Sequence, residues 1–211
     1  MKYRRLESIR RRIKRNHSKI EQVRSNRLHL PFYKFVMLMP YMTDETIESL
    51  SLVPTPAIFC KKIVPQDLQL ATFGTLTELQ NAPVKNNYFA TCCKLVAVLT
   101  GESEETIAKQ SAIDVLGLVN MIQSEMERIG KLFQSLNTDK SSDEIMAGIE
   151  KLNFGAFGLV DWYAQRMGII DHEEVFATPW ARIWQCMRID HEQGEFEKRY
   201  REIVTKRSIK K

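Results

Sequence analysis

Few residues of this chain have the types and spacing that catalysis or metal binding requires. His172 and Glu173 begin the segment "HEEV", but no second histidine follows at the helical spacing of a zinc protease. His191 and Glu192 form an equally isolated pair. The chain has no nucleophile elbow, no phosphate-binding loop and no dinucleotide fingerprint. We therefore predict a protein that is not an enzyme and that has no catalytic residue, metal ligand or cofactor.

The segment "FGAFGLVDWYAQRMG" contains two glycines that could form either a ligand loop or a close helix contact. A loop that binds nucleic acid between two helices needs basic residues, whereas the residues between Gly155 and Gly158 are uncharged. Each glycine costs about 1 kcal/mol of helix propensity relative to alanine, so packing must offset the loss. We predict a helix that ends at Gly168 and in which the two glycines let a neighbouring helix come close. The residues assigned to helix packing are Gly155, Gly158, Trp162, Trp180 and Trp184.

The positive charge of the chain is concentrated at its N-terminus. Residues 1–27 contain eleven Lys and Arg residues against Glu7 and Glu21, a net charge of +9. Because the whole chain carries +5, the remaining residues carry −4. Leu6, Ile9 and Ile13 have helical spacing, so the segment is predicted to be a basic amphipathic helix. Two roles remain open: a solvated helix that keeps the protein soluble, or a contact with nucleic acid or another polyanion through Arg4, Arg5, Arg10, Arg11, Arg12, Lys14 and Arg15.

Residues 28–80 are divided into short pieces by five prolines. The segment "TDETIESL" predicts a short helix capped by Thr43, and "AIFCKKIV" predicts a strand that ends at Pro65. We expect a small irregular or α+β subregion here, with a hairpin as its largest sheet.

Helical patterns dominate from residue 81 onward. One long helix is predicted by an apolar heptad stripe, which comprises Val115, Val119, Ile122, Met126, Ile129, Phe133 and Leu136. This stripe fits the core of a bundle, and it leaves homo-oligomer formation through a coiled coil as the alternative. Asp171 and Glu174 predict a capping box, and Trp180 opens a last helix that we expect to fray into a basic tail after Tyr200.

These patterns predict a mainly α protein: a helical bundle with a small irregular or α+β N-terminal subregion and a basic N-terminal helix. The predicted domains are a basic arm at 1–27, an irregular segment at 28–80 and a helical body with a basic C-terminal tail at 81–211. No apolar run is long enough to span a bilayer, and no signal peptide is recognisable, so no membrane partner is expected. Four cysteines without a CxxC pair favour reduced thiols and a cytoplasmic location.

The C-terminal half resembles the tail assembly chaperones of tailed bacteriophages. The resemblance covers roughly residues 68–200 and consists of short motifs. These are "TFG" within Ala71–Gln80, Phe154-Gly155 entering a helix with Asp161-Trp162, "DHEEV" at Asp171–Val175, and Pro179-Trp180 opening the last helix. Residues 1–27 do not match the pattern, and they leave room for a different phage structural protein.

The resemblance implies a non-enzymatic helical protein that binds the tape-measure protein and helps to recruit tail-tube subunits during virion assembly. Its location would be the host cytoplasm, with association with the virion as the alternative. Five methionines could give such a protein adaptable apolar surface for a helical client, although core filling is the favoured role for any single one of them: Met121, Met126, Met146, Met167 and Met187. The alternative function is a virion-associated protein that binds nucleic acid through the basic arm.

Overall fold

The computed structural model describes residues 29–136, 142–152 and 154–209. The basic helix predicted at 1–27, with its seven polyanion-contact residues, lies outside the described residues. Within them the protein is mainly α with one small two-stranded sheet, as the sequence predicts. None of the described helices combines the length and the apolar character needed to span a bilayer.

The described chain forms two compact units, and its long helix at Ala112–Gln134 contributes to both of them. The first unit comprises residues up to Gln66 together with Ala82–Ile122, and the second comprises Asp67–Asn81 and the residues from Gln123 onward. The helix α6 (Ala112–Gln134) therefore changes unit between Ile122 and Gln123.

Among the described residues, the first unit contains four further α-helices and a 3-10 helix at Met39–Tyr41. The four α-helices are α1 (Phe32–Leu38), α2 (Asp44–Leu50), α4 (Tyr88–Thr100) and α5 (Glu104–Lys109). Phe32 joins α1 to the residues between α5 and α6: its N–H donates to the Gln110 carbonyl over 2.8 Å, and its ring stacks on Phe89 at 5.5 Å. The core of this unit is aliphatic and aromatic, with Phe32, Phe35, Val96, Ile107, Val115, Leu116 and Leu118 almost fully buried.

The single strand predicted over "AIFCKKIV" is instead a hairpin. Strands β1 (Ile58–Phe59) and β2 (Lys62–Ile63) pair antiparallel, with Ile58 opposite Ile63. Cys60 and Lys61 form the turn with φ of 47° and 66°, the left-handed conformation that a two-residue hairpin turn requires. Glycine or asparagine usually occupies such a turn. Because neither residue occurs at positions 60 and 61, the sequence pattern predicts one continuous strand.

The second unit contains α3 (Phe73–Asn81), α7 (Ser142–Met146), α8 (Gly155–Met167), α9 (His172–Phe176) and the long α10 (Trp180–Ile209). Gly168 ends α8 with a left-handed φ of 66°, and the Asp171 carboxylate caps α9 by accepting from the Glu173 N–H, both near the predicted boundaries. The predicted fraying after Tyr200 is wrong, because α10 continues to Ile209.

The heptad stripe predicted the long helix α6 correctly. Val115, Val119, Ile122 and Ile129 are buried along it, whereas Leu136 lies just beyond its last turn. The glycine that permits a close contact is Gly117, which the sequence did not single out: a Cβ added there would lie 2.2 Å from the Pro54 carbonyl oxygen. The backbone carrying Pro54 can therefore approach α6 only because residue 117 has no side chain.

Replacing Gly117 by alanine should lower the free energy of unfolding by at least about 2 kcal/mol, because the Pro54 backbone must move away. Gly130→Ala is the matched control in the same helix, since its added Cβ meets nothing within 4 Å. Alanine at 130 should be neutral or stabilising by up to about 1 kcal/mol. Urea denaturation of both variants measures the two values, and equal stabilities would contradict the close contact.

Candidate protein-binding groove

Trp180, the first residue of α10, is fixed by the loop that precedes α3. Its ring is 2 % exposed, and its indole Nε1–H donates to the Leu68 carbonyl over 2.7 Å. Its backbone N–H donates to the Ala71 carbonyl, while the Phe73 N–H donates to the Thr178 carbonyl over 2.8 Å. These bonds hold the start of α10 against the 68–73 segment, so the direction of the long helix is set at its first turn.

Two further contacts tie this junction to α6. The Phe133 ring lies 6.2 Å from the Trp180 ring, and the Arg128 guanidinium lies 5.8 Å from the same ring. One turn later, the Trp184 Nε1–H donates to the Leu132 carbonyl over 3.0 Å. The proximal part of α10 is thus anchored by both of its tryptophans.

Glu125 on α6 connects the same loop to an ion pair. Its Oε2 accepts the Leu68 N–H at 3.1 Å, and Arg128 donates to both of its carboxylate oxygens at 2.8 Å. The hydrogen bonds from Arg128, and more weakly the Leu68 N–H, lower the pKa of Glu125 below its usual value, although its partial burial opposes the shift. Leu68 therefore accepts from Trp180 and donates to Glu125, which makes it the central residue of the junction.

The helix α8 packs its inner face through Val160, Tyr163 and Ala164, all of which are buried. At its far end the Arg166 guanidinium forms a 2.9 Å ion pair with Asp190 of α10 and lies 5.9 Å from the Trp162 ring. At its beginning, the Phe157 ring contacts His172 of α9 edge-on at 5.2 Å. These contacts fix α8 with respect to α10 and leave an apolar strip of α8 uncovered.

That uncovered strip forms one wall of a groove of about 380 Å³ between α8 and α10. Its lining consists of Gly158, Leu159, Trp162, Met187 and Asp190. We call it the α8–α10 groove. Among the described residues of this lining, the charged residue is Asp190, which is paired with Arg166, so the lining offers mainly apolar surface.

The apolar surface continues at the beginning of α8. Phe154 and Phe157 are 69 % and 58 % exposed, and Leu152 just before them is 63 % exposed. Large exposed aromatic side chains next to an apolar groove are typical of surfaces that bind another protein. Within the described residues, no group of three or more His, Cys, Asp or Glu side chains is placed to hold a metal ion.

The structure corrects the predicted role of the two glycines. A Cβ added at Gly158 would meet the Phe154 Cβ at 2.8 Å, and that atom belongs to the residue preceding α8 and not to a neighbouring helix. Gly155 begins α8 with a φ of 54°, and no atom lies within 4 Å of its added Cβ. Gly155 therefore permits the left-handed backbone conformation at the start of α8. Gly158 leaves space for Phe154 beside the groove.

The predicted tryptophans and methionines occupy different environments. Trp180 is in the core, whereas Trp184 and Trp162 are half-buried, the latter in the groove wall. Met121 is buried, Met126 is half-buried on α6, and Met146 and Met167 are exposed. Met187 is the one of the five that lines the groove. Leu68, Glu125 and the Arg166–Asp190 pair were not predicted, because no local pattern indicates a contact between residues so distant in sequence.

The Glu125 contacts predict an acid-sensitive contribution to stability. Since the folded-state pKa is lowered, the contribution is complete above the unfolded pKa and is lost as the pH falls through the folded value. Glu125→Gln should cost about 1–2 kcal/mol at neutral pH and much less in acid. Glu127→Gln is the control, because the exposed Glu127–Lys131 pair should contribute little at either pH. A pH-independent difference between wild type and Glu125→Gln in urea denaturation would contradict this account.

Comparison with protein-family models, with curated proteins and with solved structures finds no match to this chain. A function can therefore be proposed from the α8–α10 groove, from the contacts of Leu68 that position α10, and from the sequence motifs.

Proposed function

We propose that this protein is a non-enzymatic assembly protein that binds an apolar helical segment of a partner in the α8–α10 groove. The groove is the observation that carries this proposal. Its lining of Leu159, Trp162 and Met187 combines a branched aliphatic, an aromatic and a flexible thioether side chain. Such a set can accommodate different aliphatic and aromatic side chains of a client, in the manner of helix-in-groove recognition.

The size and polarity of the groove favour a protein client over a small polar ligand. A volume of about 380 Å³ suits one or two large side chains, but a small-molecule site usually adds several converging polar groups. Here Asp190 is already paired with Arg166. The exposed Phe154 and Phe157 extend the apolar surface beyond the groove, as a longer helical segment would require.

The motifs shared with tail assembly chaperones of tailed bacteriophages suggest which client to test first. Two of the groove residues, Gly158 and Trp162, lie in the segment that carries this resemblance. We therefore propose the tape-measure protein as the client and the tail-tube protein as the second partner, in the host cytoplasm or on the assembling virion.

Co-expression with tape-measure and tail-tube proteins, followed by pull-down, tests this function. Leu159→Glu and Trp162→Ala should each weaken capture of the tape-measure protein at least about tenfold, since each removes apolar contact from the groove. Ile63→Glu is the control, because it changes an 89 % exposed apolar side chain in the β-hairpin of the first unit. Failure of wild type to capture either protein, or equal capture by all variants, would refute the proposal.

A second candidate function rests on the charge of the N-terminal arm. Eleven Lys and Arg residues within residues 1–27 could bind the phosphate backbone of nucleic acid without reading its sequence. This function would add to groove binding and does not exclude it.

Deleting residues 1–27 should abolish binding to duplex and single-stranded nucleic acid. Binding by the full chain should weaken steeply as the salt concentration rises, because each phosphate contact releases a counterion. Fluorescence anisotropy at several salt concentrations measures both effects. Salt-independent binding, or unchanged affinity after the deletion, would exclude the arm as the binding element.

A further inference from the structure

The part of α10 that begins at Ile189, which we call the distal helix, carries exposed apolar residues along one face. Every residue from Phe196 to Ser208 is exposed. The distal helix runs from Ile189 to Ile209 and is ~30 Å long at 1.5 Å per residue. The intrahelical ion pair Glu197–Arg201 at 3.0 Å is exposed and adds little stability. A packing partner would stabilise it.

The exposed apolar residues of the distal helix follow a heptad repeat. Ile189, Phe196 and Ile203 are spaced seven apart and are 41 %, 62 % and 51 % exposed. Tyr200 follows Phe196 by four residues, and their rings stack at 6.2 Å. The seam consists of Ile189, Gln193, Phe196, Tyr200, Ile203 and Arg207. This 4-3 spacing is the pattern of a helix that packs along another helix.

The charges of the distal helix are segregated along its length. From Asp190 to Glu197 the Asp, Glu, Lys and Arg residues are all acidic, namely Asp190, Glu192, Glu195 and Glu197. From Lys198 to Arg207 they are basic with the exception of Glu202, namely Lys198, Arg199, Arg201, Lys206 and Arg207. The helix dipole acts only on the last turn, so it does not account for the basic residues from Lys198 to Arg201.

We propose that two copies of this chain associate through antiparallel packing of their distal helices, centred at Lys198. In that register Phe196 of one copy faces Tyr200 of the second, and Gln193 faces Ile203. The acidic half of each helix then lies along the basic half of the other. Glu192, which already forms a 2.9 Å ion pair with Arg188 of its own helix, lies beside Lys206 on the flank of the seam. The apolar repeat and the charge pattern therefore select the same register.

A parallel pairing is disfavoured by the same residues. It would place acidic half beside acidic half, with Glu192 of one copy near Glu197 of the other. The antiparallel register also brings like charges together near its centre, because Glu197 lies near Glu197 of the other copy and Arg199 lies near Arg199 of the other copy. Glu197 retains its intrahelical partner Arg201, and the dimer is accordingly reversible and weakened by salt.

Charge exchange in the full-length protein tests this association. Sedimentation equilibrium of wild type should show a concentration-dependent dimer at low ionic strength. Glu192→Lys and Lys206→Glu should each weaken it about tenfold, because symmetry repeats each change at two sites. The double variant E192K/K206E should restore wild-type affinity. Glu202→Lys is the control with the same change of charge at an exposed position off the seam, and it should have a smaller effect.

Several outcomes would overturn the proposal. One is a wild-type protein that stays monomeric at all concentrations. Another is tighter self-association of Glu192→Lys, which parallel pairing would produce. A third is a double variant whose self-association remains as weak as that of the single variants. A dimer that persists in Phe196→Ser would also contradict it, since Phe196 lies at the centre of the seam. Because both Phe196 and Glu192 are exposed, thermal unfolding should confirm that these variants fold like wild type.

Discussion

The hydrogen bond from the Trp180 indole to the Leu68 carbonyl is the contact on which the second unit depends. Leu68 lies in a segment with no helix of its own, and its backbone groups are satisfied by Trp180 on one side and Glu125 on the other. The Leu68 carbonyl also accepts the Ala71 N–H at 3.1 Å, so loss of the Trp180 bond would leave the indole N–H of the buried Trp180 as the unsatisfied group. The bond therefore holds the first residue of α10 in place. The positions of the groove residues on α10, Met187 and Asp190, depend on where the helix begins.

The proposed function depends on how α8 lies along the helix that Trp180 positions. The buried face of α8 holds it in place, and the Arg166–Asp190 pair neutralises the charged residue at the groove. Leu159, Trp162 and Met187 remain available to a partner as apolar surface. The same helix α10 supplies the groove wall near its beginning and the exposed heptad seam further along. Client binding and self-association, as proposed, would thus use successive stretches of one element that meet at Ile189 and Asp190.

The sequence predicted those features that depend on local periodicity. The heptad stripe of α6 and the end of α8 at Gly168 follow from side chains within a few turns of each other. The hairpin turn was missed because Cys60 and Lys61 adopt a conformation that their residue types rarely signal. The glycine prediction failed for a different reason: a Cβ added at Gly117 would meet Pro54, which is remote in sequence, whereas the atoms nearest to a Cβ added at Gly158 belong to the nearby Phe154. The groove likewise needs the pairing of α8 with α10, which no local pattern specifies.

Occupation of the α8–α10 groove by a partner protein can be measured by hydrogen–deuterium exchange of the full chain, with and without a bound tape-measure fragment. Exchange should slow in Gly155–Met167 and in the proximal turns of α10, from Trp180 to Asp190, with no change in the hairpin at Ile58–Ile63. Protection confined to the first unit, or a bound fragment that leaves α8 unprotected, would contradict occupation of the groove.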